Sequence, residues 1–302
     1  MYGTFPAAKA AIDEADATLG FSLSALMFQG DSHELTLTMN AQPAILTVSV
    51  ALLRVLEQEY GFHIADRCAY AMGHSLGEYT ALVAAGALSL ADALRLVRRR
   101  GLAMHDVVSH REQPTAMTAL MLHGASVSDI QRNLSSIQLT LPAGDVAELA
   151  NINSSRQVVL SGTEAGVGAA VQELQARRLA ARAIDLPVSA PFHCSLMRPA
   201  AKVMKEALKS VQFTPLQLPI ISNVTAAPIT NHTQFPDLLV QQVTHTVAWA
   251  PSVSYCQRNG IVHFISVGPG KVLANLLKRE HPKDKIIPVT NVEELREFNS
   301  TF

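Results

Sequence analysis

The stretch that most constrains this chain is Gly73-His74-Ser75-Leu76-Gly77. A serine with glycines two residues before and two after suits a sharp turn from strand to helix, which lifts the hydroxyl off the backbone and beside amide donors. The flanks fit that turn. Cys68-Ala69-Tyr70-Ala71-Met72 is short and apolar like a buried strand, and residues 78–85 read as a helix. The expected feature is a nucleophile elbow; the alternative is an ordinary turn of small residues.

Composition narrows what surrounds such a turn. With 302 residues, 48% of them hydrophobic and 16% charged, the chain can bury one large core and a smaller unit. A net charge of -1, with basic residues scattered apart from Arg98-Arg99-Arg100, gives no long-range field toward nucleic acid or a membrane surface. Cys68, Cys194 and Cys256 are odd in number and far apart. Neither a disulfide framework nor a cysteine metal site is expected, and a reducing intracellular compartment fits. No His, Glu or Cys pattern has metal-ligand spacing, so neither metal nor cofactor is expected. No apolar run reaches the ~20 residues that cross a bilayer, and residues 1–20 lack a signal or transit pattern.

Helical and strand patterns alternate along the chain. Pro6 opens a helix over 7–19, and Asn40 is placed to cap a long helix over 41–60 that Gly61 ends. Ile45, Val48, Leu52, Val55 and Leu56 fall on one stripe of it. Ser89, with Asp92 three residues on, starts the next helix. Helices on both sides of an elbow strand imply an α/β fold with a central, mostly parallel sheet. From about residue 115 the rhythm changes: strand-like 118–122, helical 127–137, strand-like 146–152 and 157–162, a helix over 164–178 capped by Thr163, and strand-like 180–184. That βαββαβ order is a ferredoxin-like subdomain, here 113–185, inserted into a hydrolase-like core of 1–112 and 186–302.

A serine hydroxyl needs a positioned imidazole to take its proton, so an elbow predicts a histidine elsewhere. Pro191-Phe192-His193-Cys194-Ser195-Leu196-Met197, ahead of a helix over 197–211, supplies the candidate His193. A capping or packing histidine is the alternative. His74, beside the elbow serine, is assigned to backbone ordering or packing.

These segments together resemble the malonyl-CoA:acyl carrier protein transacylases and the acyltransferase domains of fatty-acid and polyketide synthases. The resemblance rests on Gln42-Pro43-Ala44-Ile45-Leu46, Gly73 to Tyr79, Arg100-Gly101, Leu186-Pro187-Val188-Ser189, Pro191 to Met197, Ser222-Asn223-Val224 and Val267-Gly268-Pro269-Gly270-Lys271, in that order. It implies a ping-pong transfer for fatty acid synthesis. Ser75 takes malonyl from malonyl-CoA with His193 as base, the Leu76 amide faces the oxyanion, and acyl carrier protein receives the group. It also implies that Arg100 grips the free malonyl carboxylate, that a backbone carbonyl near Gln242 orients His193, and that Phe192 limits room beside the acyl chain. The competing readings are a solvated helix face for the arginine run, a surface glutamine for Gln242 and core packing for Phe192.

Gly268-Pro269-Gly270-Lys271 lacks the GxxxxGK spacing of a phosphate loop and reads as a tight structural turn. Family members usually begin with a strand and a glycine-glutamine turn that donates a second oxyanion hydrogen bond, whereas this sequence starts at Met1-Tyr2-Gly3. Two alternatives follow: a serine esterase with Asp185 as its acid, or a truncated, non-catalytic remnant. The loop at 141–145 suggests the mitochondrial matrix over the cytoplasm, on resemblance alone.

Overall fold

The computed structural model describes residues 1–301. Three helices, Pro6–Leu19, Thr38–Gln58 and Leu90–Ser109, pack on one another around the elbow. Pro6 stands at the first turn, where its missing N–H costs nothing, and Gly20 closes that helix in a left-handed conformation with φ 72°. The Ser89 hydroxyl accepts from Asp92 N, capping the third helix as its sequence predicts.

The Thr38–Gln58 helix departs from expectation in three ways. It starts before Asn40, whose side chain instead donates to Glu34 O and accepts from Arg98 Nη1. Pro43 lies inside it and cannot donate to Met39 O, yet that carbonyl is satisfied by Arg98 Nη1 at 2.7 Å. Ile45 turns out of the core stripe toward a cavity, while Leu46, Leu52, Val55 and Leu56 are buried. By length and composition alone this helix is apolar enough to cross a membrane, but 72% of its apolar window is buried against the rest of the protein, as in a core helix.

The inserted unit matches its sequence pattern closely. Strands β1 (Thr115–Leu122), β2 (Ala147–Ile152), β3 (Gln157–Thr163) and β4 (Ala180–Asp185) form one antiparallel sheet in the order β2-β3-β1-β4, the order of a ferredoxin-like unit. Period-two alternation assigns its faces. Leu120, Val158 and Leu160 pack under helices Val127–Gln138 and Glu164–Ala176 through Ile130, Leu134, Val167 and Leu174. Met117, Ala119, Ala150 and Val159 face the other way, against Leu186 and Phe192 at the approach to His193.

The core sheet is narrower than the sequence implies, although the α/β class holds. Residues 68–72 form no strand: Ala71 makes a single parallel bridge to Ile220. Strand identity comes from paired neighbours, and on the opposite side this segment borders a cavity of about 790 Å³ shared with Ile45, Phe62, Trp249 and the His263–Val267 strand. Parallel pairing of full strands is confined, among the described residues, to His263–Val267 with Lys285–Val289. The turn after His263–Val267 is structural, as expected: Gly268 has φ 136°, a Cβ there would lie 2.7 Å from Ser49 Oγ, and Lys271 pairs with Glu294.

Candidate active site

Ser75 sits at φ 51°, a left-handed conformation that few non-glycine residues adopt. Gly73 permits the turn, since a Cβ on it would stand 2.1 Å from the Gly77 carbonyl. Gly77 begins the helix Gly77–Ala84, and its own missing side chain has open space. The strained residue is held at both ends. Ser75 N donates to Asn223 Oδ1 at 2.6 Å, Asn223 Nδ2 donates to Gly73 O at 2.7 Å, and Gln242 Nε2 donates to Ser75 O at 2.9 Å. Next in the chain, the Leu76 N–H has no protein partner among the described residues and lies where a helix begins, a donor suited to a developing oxyanion.

His193 also has positive φ, 61°, in the loop between β4 and the helix Arg198–Leu208. Glu148 of β2 anchors that loop by accepting from the backbone N–H and hydroxyl of Ser195. The imidazole is buried, with Nε2 2.7 Å from Ser75 Oγ and Nδ1 2.8 Å from Gln242 O. A carbonyl only accepts, so the ring proton sits on Nδ1 and Nε2 presents its lone pair to the serine. Burial first, and then the positive charge of Arg100, pull the pKa of His193 down to about 3. The ring is therefore a neutral proton acceptor across the physiological range.

Arg100 projects from Leu90–Ser109 into the same site and is 2% exposed, whereas Arg99 beside it faces solvent. Its Nη1 donates to Gln42 Oε1 at 2.8 Å; Nη2 donates to Ser75 Oγ and to Gln242 Oε1, each at 3.0 Å. Its Nε is buried and has no hydrogen-bond partner among the described residues. Burial lowers its pKa, but a guanidinium stays cationic. A neutral base, a hydroxyl aligned on it, a free amide at a helix start and a buried cation with a spare donor make a site for acyl transfer from acids that carry a second carboxylate.

The structure thus gathers Ser75, Leu76, His193, Arg100 and Gln242 into one cluster. Gln242 contributes more than expected, through its side chain as well as its carbonyl. Phe192 is half-buried and packs into the core near β1 and β3, with no bond into this cluster. His74 points away, as expected, with Nε2 3.0 Å from Asn153 Oδ1 and its ring near Trp249. Asp185 cannot serve as a triad acid: it accepts from Thr118 Oγ1 at the end of β4, and His193 Nδ1 already meets a carbonyl. Three members, Gln42, Asn223 and Glu78, had no role in the sequence reading. Each stands within one of the motifs quoted above, and that membership was the available signal.

Comparison with known proteins agrees with this geometry. A family model described as the acyl transferase domain matches residues 1–296. The malonyl CoA-acyl carrier protein transacylase of Bacillus subtilis is 41% identical over 98% of this chain and 89% of its own length; that of Escherichia coli K12 is 40% identical over 92% and 86%. Among solved structures, the acyl-carrier-protein S-malonyltransferase of Bartonella henselae superposes with a TM-score of 0.91 at 38% identity, over 99% of this chain and 92% of that one. A malonyl-transacylase solved in complex with its type II polyketide acyl carrier protein gives 0.90 at 33% identity, over 100% and 93%. The chain belongs to the acyl transferase domain family.

Proposed function

We propose that this chain transfers malonyl from malonyl-CoA to the phosphopantetheine thiol of an acyl carrier protein, through an ester on Ser75. The observation that carries the reading is the environment of one oxygen: Ser75 Oγ, 2.7 Å from His193 Nε2 and 3.0 Å from Arg100 Nη2. The names of the relatives support the choice of donor and acceptor.

In the first half-reaction Ser75 Oγ attacks the thioester carbonyl while its proton passes to His193 Nε2. The Leu76 N–H stabilises the tetrahedral oxyanion, and the Gln242 carbonyl steadies the imidazolium through Nδ1–H. Collapse expels the CoA thiol, which takes the proton from His193, and leaves a malonyl-serine ester. In the second half-reaction the carrier thiol gives its proton to His193 and attacks that ester. The proton then returns to Ser75 Oγ as the malonyl thioester departs. Arg100, with a spare buried donor close to the reacting oxygen, binds the free malonyl carboxylate and selects it over acetyl.

Intact-mass measurement after incubation with malonyl-CoA tests the proposal. The expected result is a single malonyl adduct on the native chain and none on Ser75→Ala; an unmodified native chain, or an adduct that survives Ser75→Ala, overturns it.

A further inference from the structure

Among the described residues, Glu78 is the one fully buried carboxylate touching this cluster that the mechanism leaves unused. It is 1% exposed, three residues after Ser75 and on the first turn of Gly77–Ala84. Burying a carboxylate is costly unless hydrogen bonds and charges compensate. Here Oε2 accepts from Gln242 Nε2 at 2.7 Å and Oε1 accepts from Asn223 N at 3.3 Å, with the Ser222 hydroxyl adding a further bond. Among the described residues no guanidinium or ammonium bonds it directly: the fork of Arg100 ends on Gln42, Ser75 and Gln242.

Two of the three partners of Glu78, Gln242 and Asn223, are the residues that grip the elbow. Gln242 Nε2 divides its donors between Glu78 Oε2 and Ser75 O, the Gln242 carbonyl orients His193, and Asn223 Oδ1 holds Ser75 N. The amide orientation of Gln242 is fixed by this arrangement, because Arg100 can only donate to Oε1 and the acceptors Ser75 O and Glu78 must face NH₂. We propose that Glu78 is a positioning residue for the transfer reaction, and that its carboxylate, through Gln242 and Asn223, keeps the left-handed Ser75 backbone and the His193 ring in register. The inference rests on the acyl-transfer reading above.

A pH dependence follows. Both carboxylate oxygens act as acceptors, so a proton on Glu78 opposes one of the donors aimed at it. Burial pushes its pKa up to about 7, the hydrogen bonds from Gln242, Asn223 and Ser222 and the charge of Arg100 pulling the other way. The network is complete above that pH and loosens below it. The other titratable groups nearby do not titrate there: Arg100 stays cationic, Tyr79 is pushed up to about 12, His193 lies at about 3, and burial lowers His74 further from neutrality.

The test is single-turnover acylation by malonyl-CoA, followed by rapid quench and intact mass from pH 5.5 to 9, for the native chain, Glu78→Gln and Glu78→Asp. The native rate is expected to fall below a midpoint near 7. Glu78→Gln should acylate about 10- to 100-fold more slowly at pH 8, with its half-saturating malonyl-CoA concentration within about twofold and the acid limb gone. Glu78→Asp should recover part of the rate and keep a limb. Native-like rate and pH profile in Glu78→Gln would overturn the inference while leaving acylation at Ser75 intact. If Glu78→Gln fails to fold, the native profile decides, and a flat rate between pH 6 and 8 overturns it. A native chain that forms no adduct at all would instead sink the acyl-transfer reading.

Discussion

The four-stranded sheet and the elbow are held together by opposite means. In the sheet, partners are runs of consecutive backbone groups, Thr115 to Met121 of β1 opposite Thr163 to Gln157 of β3, and apolar side chains alternate between two faces. At the elbow, order comes from single side chains reaching across the chain: Arg100 to Ser75 over 25 residues, Asn223 over 148, Gln242 over 167. A repeating pattern tolerates the loss of one member by degrees. A convergent polar cluster does not, because each missing group leaves a buried partner unsatisfied.

The sharpest way to break the elbow while sparing the sheet is His193→Ala. Removing the base that meets Ser75 Oγ among the described residues should lower acylation by about 10⁴-fold or more. The far-ultraviolet spectrum should keep its native form, since the ring contributes no backbone pairing; a fall of under tenfold would put the proton elsewhere. Arg100→Ala comes next. Its loss should cut kcat/KM for malonyl-CoA by about 10²-fold or more relative to that for acetyl-CoA, reflecting charge-assisted bonds to the free carboxylate. Equal losses for the two donors would remove Arg100 from carboxylate recognition and leave it a purely internal tie between Gln42 and Gln242.

The contrast also explains what the amino-acid sequence discloses. Caps and turns act over three or four positions, so Pro6, Ser89 and Thr163 could be placed before any coordinates, and so could the βαββαβ order. Ser75 and His193 were legible because the first lies in a local motif and chemistry then demands the second. Glu78, Asn223 and Gln42 were not, since hydrogen bonds that span 58 to 164 residues leave no period to read. The 68–72 segment failed for the converse reason. Its composition suits a strand, but pairing depends on what lies alongside, and only Ala71 finds a partner.

The reverse experiment damages the sheet and spares the elbow. Leu160 is fully buried in β3, between Thr118 and Leu149 on the flanking strands and beneath the two helices. Leu160→Ala should cost about 2–5 kcal/mol of unfolding free energy by urea titration, through lost burial and the cavity left behind. Acylation per folded molecule should stay within about twofold of native. A larger loss of rate at full folding would mean that packing in the sheet reaches His193 through β2 and the Glu148 anchor.

The mildest expected effect separates a cap from a core residue. Thr163 is 1% exposed and serves two elements at once: its hydroxyl accepts from Gly166 N at 3.2 Å, starting the helix Glu164–Ala176, and from Val146 N at 3.1 Å, ahead of β2. It also donates to Asp145 Oδ1 at 2.9 Å. Thr163→Ala leaves both amides without that acceptor, so its cost should lie toward the upper part of the range for caps, about 1–2 kcal/mol. Thr163→Ser keeps the oxygen and loses one methyl, so most of that stability should return. Urea titration of the pair tests this directly, because equal destabilisation by both substitutions would assign the effect to the methyl packing and deny the hydroxyl its role between helix and strand.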